Sequence, residues 1–374
     1  MIEWLKLFIK FLMMTYKETL LFIGKCLTIN KNVCNKNSVE KKLRDLKIDW
    51  ENILKLSTKH YVLPAMYCNL KSAQLLYYLP KDLVDYMKYI TDLNRTRNLK
   101  IIKQAKAINR LLLTNNITPV FLKGTANLLD GLYIDIAERM VGDIDFIIDK
   151  KSADIALKIL FENNYTYSEK TPKQFGYIKH YPRMISIEGI GAIEVHLELT
   201  LKKFNSIFNY QIVKPQLRKK DTFTFLSYQH QTAHTIINKQ LNDDGYLYQN
   251  IALRNYYDIF LLSHKANTLK SIEIFPKIFK QLNSFLSIAS IIFSNTQSIH
   301  FKKNKHAIHS QKTTLQLLNT PKKHLQKNRR IKLFSTFMIR INLLSKAFYS
   351  KSHCIYVLQK LSNPKWYQRV LFNK

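Results

Sequence analysis

Arg139-Met140-Val141-Gly142-Asp143-Ile144-Asp145-Phe146-Ile147-Ile148-Asp149 is the stretch on which the reading of this chain turns. Alternate side chains of a β-strand point to one face, so Asp143 and Asp145 converge while Ile144, Phe146 and Ile148 supply the buried face. Two carboxylates so placed suit a hard divalent cation. Mg2+ takes oxygen ligands and is commonly held by one or two carboxylates together with substrate phosphates. Such a strand is a platform for phosphoryl or nucleotidyl transfer, although Asp-x-Asp also marks ordinary solvated strand ends.

Upstream, Ile117-Thr118-Pro119-Val120-Phe121-Leu122-Lys123-Gly124-Thr125-Ala126-Asn127-Leu128-Leu129 reads as a short apolar strand that enters a helix through Lys123-Gly124-Thr125. Glycine at a strand-to-helix turn lets backbone N–H groups approach a phosphate, and the helix start adds a favourable dipole. Lys123 offers a point charge for the same phosphate. The competing reading is a plain strand-to-helix connection with a solvated lysine. Downstream, Ala192-Ile193-Glu194-Val195-His196-Leu197-Glu198 alternates apolar and polar residues. Glu194, His196 and Glu198 therefore share a strand face, and Glu194 can add a third carboxylate to the Asp pair.

The order Leu122-Lys123-Gly124, Arg139-Met140-Val141-Gly142-Asp143-Ile144-Asp145-Phe146 and Ile193-Glu194-Val195-His196 resembles the uncharacterised nucleotidyltransferase family of the DNA polymerase β superfamily. The flanks agree: Asp49-Trp50-Glu51-Asn52-Ile53-Leu54 and His60-Tyr61-Val62-Leu63-Pro64 precede the core, and Leu253-Arg254-Asn255-Tyr256-Tyr257-Asp258-Ile259 follows it. The resemblance implies an α+β fold, with a polymerase β-like core of a small mixed sheet and helices between helical N- and C-terminal regions. It implies Asp143 and Asp145 as metal ligands and Glu194 as the third carboxylate, holding two Mg2+ ions, with Mn2+ as the alternative. It also implies an NTP such as ATP as substrate, its phosphates handled by Lys123, Gly124, Thr125 and Arg139.

One departure stands out. The wider superfamily usually carries Gly-Gly or Gly-Ser at the phosphate turn, with the Asp pair about a dozen residues on, whereas here a longer insert separates Lys123-Gly124-Thr125 from Asp143. Thr125 stands where the serine hydroxyl is expected. A fold whose site has decayed, and which binds nucleic acid through a basic tail, is the rival class. The complete set of Asp143, Asp145 and Glu194 argues against it.

The chain has 374 residues with 46% hydrophobic content, enough for a sizeable core and too apolar for global disorder. Its four cysteines, Cys26, Cys34, Cys68 and Cys354, lack Cys-x-x-Cys spacing, which excludes a zinc ribbon and fits reduced thiols in a cytoplasmic protein. The N-terminal segment from Met1 to Met14 is apolar but interrupted by Lys6 and Lys10, so it reads as an amphipathic helix and not as a membrane span or a cleavable signal. Packing on the helical region and lying on a membrane surface are its two readings, the first preferred.

The formal charge is +33. Residues 274–374 hold 19 Lys/Arg and no Asp/Glu, leaving +14 for the first 273 residues. Lys322, Lys323, Lys327, Arg329, Arg330 and Lys332 form the densest patch, followed by Phe334 and Phe337. Basic runs with aromatics are the footprint of nucleic-acid binding. RNA, for example a tRNA end as in related abortive-infection toxins, is the expected acceptor; a small molecule or a protein is the alternative. Compositional drift in a lysine-rich chain explains the preference for lysine but not the absence of acids.

Periodicity divides the chain into a helical region at 1–110, the catalytic core at 111–215, helices at 216–295 and a basic, mainly helical extension at 296–374. The core is expected to hold strands at 118–122, 143–149, 183–188 and 192–199, with helices at 125–133 and 151–163. His230 and His234 stand four residues apart on a predicted helix, the spacing of paired metal ligands. No glutamate takes the zincin position between them, so a place lining the cleft is the better reading. Asp258 reads equally as a cleft residue or a structural partner.

Overall fold

The computed structural model describes residues 14–45, 48–168, 179–294 and 296–362. The segment before Met14, expected to be an amphipathic helix, lies outside them. The chain forms two compact units that divide between Asn319 and Thr320, so the helix closing residues 305–319 stays with the first unit.

Among its described residues that first unit opens with five helices: α1 (Tyr16–Cys26), α2 (Val33–Arg44), α3 (Trp50–Lys59), α4 (Leu63–Ser72) and α5 (Lys81–Leu113). Their starts are chemically marked. Thr15 and Glu18 close a reciprocal capping box on α1, and the Asp49 carboxylate accepts the Asn52 N–H at the start of α3. The 33 residues of α5 run across the core.

Seven strands form one mixed sheet: β1 (Val120–Phe121), β2 (Asp143–Ile147), β3 (Thr166–Tyr167), β4 (Met184–Ile185), β5 (Ala192–His196), β6 (Arg218–Lys220) and β7 (Phe223–Phe225), in the spatial order β3-β4-β5-β2-β1-β7-β6. β2 lies at its centre, parallel to β5 and antiparallel to β1. Phe121, Phe146 and Phe225 are fully buried there, and truncating any one to alanine is expected to cost about 3–5 kcal/mol. The two-stranded β6–β7 ribbon corrects the expectation of helices alone from residue 216 onward. Each strand has three residues, too few for alternation to register, and β7 is buried throughout, so no polar face is left to reveal it.

The connecting helices are α6 (Lys123–Leu129), α7 (Ala153–Glu162), α8 (Tyr210–Val213), α9 (Tyr228–Ile237), α10 (Gly245–Tyr248), α11 (Leu253–Leu262), α12 (Thr268–Glu273), α13 (Phe279–Ile292) and α14 (Lys305–Asn319). The expected strands and helices of the core are present with shorter bounds. The second unit contains α15 (Pro321–Tyr349) and α16 (Lys351–Leu361). No helix among the described residues is long and apolar enough to cross a membrane.

A row of buried amides on α5 holds the loops that carry the site. Asn98 donates to the carbonyls of Ile136 and Arg139 at 2.6 and 2.7 Å, and Asn94 donates to those of Ala137 and Arg139. Gln104 accepts from the Gly191 N–H and donates to the Gly191 carbonyl, both at 2.9 Å. A Cβ on Gly191 would stand 2.5 Å from the Ile101 Cδ1 and would require that side chain to shift. α5 thereby fixes both the entry to β2 and the entry to β5.

Candidate active site

The parallel register of β2 and β5 sets Asp143 opposite Ala192, Asp145 opposite Glu194 and Ile147 opposite His196. Asp145 and Glu194 are thus direct cross-strand neighbours, with Asp143 two residues earlier on the same face. Carboxylates side by side repel unless cations stand between them. Here two do. Lys123 Nζ lies 2.6 Å from Asp145 Oδ1 and 3.5 Å from Glu194 Oε2. The Arg183 guanidinium bridges Asp143 Oδ2 at 2.7 Å and Glu194 Oε1 at 3.0 Å. His196 Nε2 completes the group, 3.0 Å from Asp145 Oδ1 and 3.5 Å from Glu194 Oε2.

These contacts set the electrostatics. The hydrogen bond with His196, helped by the Lys123 charge, holds the Glu194 carboxyl well below the ordinary carboxylate range despite its burial. Burial pushes the Asp143 carboxyl up, partly offset by Arg183. Burial opposes the charge on Lys123, but Asp145 and Glu194 outweigh it and hold the ammonium above its ordinary value. Lys179 behaves differently. Burial and the neighbouring Lys123 charge push it down to about 8 against the attraction of Asp243, Asp145 and Glu194.

The donors fit a divalent cation. One ligand atom each from Asp145, Glu194 and His196 lie within 4.8 Å of one another, close enough to share one coordination shell. The Lys123 ammonium between the two carboxylates shows that the spot accepts positive charge. Oxygen donors suit Mg2+ and Mn2+, and the imidazole adds a donor that Mn2+ tolerates better than Mg2+. The sequence led to Asp143, Asp145 and Glu194 as the ligand set; the tight trio contains His196 in place of Asp143, whose carboxylate pairs with Arg183.

The phosphate turn is built differently from the expectation. The residue in the left-handed conformation is Lys123, at φ +53°, and Gly124 follows it as the first full turn of the seven-residue α6. Gly124 matters for close approach instead: a Cβ there would stand 3.0 Å from Val141 and 3.5 Å from the Arg139 guanidinium. The Thr125 hydroxyl is buried and donates to the Asp143 carbonyl at 2.9 Å, which ties the turn to β2. Arg139 is likewise turned inward. Its guanidinium donates to both Asp258 oxygens at 3.1 Å and to the Met140 carbonyl at 2.8 Å, while the Tyr133 hydroxyl donates to Asp258 at 2.7 Å. Thr125 and Arg139, expected to handle phosphates, have their polar groups on protein partners in this structure. Asp258 is the structural partner.

Glu198 is also not part of the site. β5 ends at His196, and the buried Glu198 carboxylate pairs with Lys150 and accepts from Asn205. His230 and His234 are buried beside Phe208, and burial lowers both pKa values; the neighbouring Lys123, Lys179 and His196 lower the His234 value further. Arg183 and Lys179 were missed by sequence reasoning. A signal for Arg183 existed: the antiparallel hairpin through Gly189 and Gly191 pairs Met184 with Ile193, which carries Arg183 to Glu194.

The profile of an uncharacterised nucleotidyltransferase family matches residues 47–292. Neither the curated proteins nor the solved structures gave a match. The family match spans most of the chain, including all three carboxylates and the Lys123 turn, so the chain belongs to this nucleotidyltransferase family.

Proposed function

We propose that this nucleotidyltransferase moves a nucleoside monophosphate from an NTP, ATP foremost, to an acceptor hydroxyl. The observation that carries the reading is the pairing of Asp145 with Glu194 on adjacent parallel strands, with Asp143 on the same face. Asp143, Asp145 and Glu194, with His196 beside them, would hold Mg2+, two ions in all, or Mn2+. Bound there, such ions would neutralise charge on the transferring phosphoryl group and lower the pKa of the acceptor hydroxyl.

The chain's own groups do the rest by position and charge. Lys123 and Arg183, which pair the carboxylates, are free to turn to the triphosphate once other cations neutralise those carboxylates. Gly124 leaves room beside the turn; Thr125 and Arg139 keep it in place. The acceptor oxygen bonds to the α-phosphorus in line as the bond from that phosphorus to the bridging oxygen breaks. Pyrophosphate leaves with the electron pair, and the acceptor proton passes to Glu194 or to solvent.

The acceptor we assign is an RNA hydroxyl, on the strength of a +33 chain that attracts polyanions. The test is incubation of the purified protein with Mg2+ and each α-labelled NTP, with and without total RNA. Label in RNA supports the reading. Label in protein or in small molecules reassigns the acceptor and keeps the reaction, and no transfer of label under any condition removes the activity.

A further inference from the structure

We infer that the C-terminal helical hairpin is a docking face for an anionic lipid bilayer, a property independent of the nucleotidyl-transfer reading. At 3.6 residues per turn, Leu333, Phe334, Phe337, Ile341, Leu344 and Phe348 of α15 fall within an arc of about 100°. All six are exposed, from 44% for Ile341 to 86% for Phe348. From Leu333 onward, the partly covered positions of α15 are Ser335, Thr336, Leu343 and Ala347. Across the helix Ile339, Asn342 and Lys346 are exposed as well and no residue of α15 is buried, so the apolar arc meets solvent. Contiguous exposed apolar surface of this kind marks an interaction site.

Charge decides the occupant. Residues 321–349 contain eight Lys/Arg and no acid, and six of the eight precede Leu333. A basic half-helix thus adjoins an apolar, aromatic half-helix. A second copy docking through this helix would bring eight cations against eight without a compensating carboxylate. RNA satisfies the cations but leaves the apolar arc in water. An anionic bilayer satisfies both, because phosphate headgroups meet the lysines and arginines while the Phe and Leu side chains enter the acyl boundary. Arg340 and Lys346 interrupt the apolar half, so it lies in the interface plane and does not span.

The test is co-sedimentation of the full chain with vesicles of phosphatidylcholine alone and of phosphatidylcholine mixed with phosphatidylglycerol. Binding is expected only to the mixed vesicles, weakened by rising salt. The pair Phe334→Glu and Phe337→Glu should weaken it at least about tenfold, as loss of two buried aromatic anchors implies. The triple change Arg329→Gln, Arg330→Gln and Lys332→Gln should do so as well, and this second variant serves if the first fails to fold. No binding to the mixed vesicles overturns the inference, and so does binding that neither variant changes. Loss of self-association in sedimentation velocity, without vesicle binding, would make the face a contact between copies. Loss of single-stranded RNA retention, without vesicle binding, would make it a base-stacking platform; either result overturns the lipid assignment.

Discussion

The Lys123 ammonium stands 2.6 Å from Asp145 Oδ1, on a backbone held at φ +53°. An L-residue in that conformation costs about 1–2 kcal/mol, which glycine avoids. This chain keeps a lysine there, and strain retained at a site of chemistry points to a use for the side chain.

Lys123→Ala and Lys123→Gly separate the strain from the charge. Both remove the ammonium, so both should raise KM for the NTP more than they lower kcat if the lysine contacts phosphate in the ground state. Only glycine relieves the backbone, so Lys123→Gly should be more stable than Lys123→Ala by about 1 kcal/mol in denaturant unfolding. Equal stabilities would argue against a strained turn. A large fall in kcat at unchanged KM would place the ammonium at the leaving group.

Arg139 and Asp258 should act as scaffold. Asp258→Asn, or Arg139→Ala, leaves one buried charge without its partner and is expected to cost about 3–5 kcal/mol, whereas Arg139→Met with Asp258→Leu should cost less than either. Thermal and denaturant unfolding measure this. A stable Arg139→Ala protein with a raised KM for NTP would restore Arg139 as a phosphate contact.

How much of this was legible in the sequence depends on the range of the signal. The Asp143–Asp145 strand and the alternation of residues 192–196 were visible because period-2 patterning is local, and so was Glu194 as their neighbour. The direction and register that set Glu194 opposite Asp145 are properties of strand pairing and are not written in either segment alone. Arg139 could not be assigned from its position four residues before Asp143, because what decides its role is Asp258, 119 positions on. Lys123 was readable as a cation near phosphate, but its left-handed backbone was not, since no local pattern marks a lysine for that conformation. The amides of Asn94, Asn98 and Gln104 looked like ordinary polar positions on a helix; their partners are backbone groups of distant loops.

The depressed Glu194 carboxyl predicts a pH dependence of stability. A carboxyl whose folded pKa lies below its unfolded value stabilises the fold above the unfolded pKa and loses that contribution as pH falls toward the folded one. In metal-free protein the melting temperature should therefore drop as pH falls below the ordinary glutamate value of 4.5. Glu194→Gln, which cannot titrate, should start lower at neutral pH and fall less over the same window. Parallel melting curves for the two proteins would show that Glu194 is not held by His196 and Lys123 as described.

Nucleotidyl transfer at the Asp143, Asp145 and Glu194 face is tested most directly by following label and pyrophosphate together. Purified wild-type protein with Mg2+, α-labelled ATP and total RNA should release pyrophosphate in step with label transferred to the acceptor. Asp145→Asn should stay folded and lose on the order of a hundredfold or more in rate, the scale of losing a principal electrostatic stabiliser. Transfer by Asp145→Asn at near the wild-type rate would contradict the account.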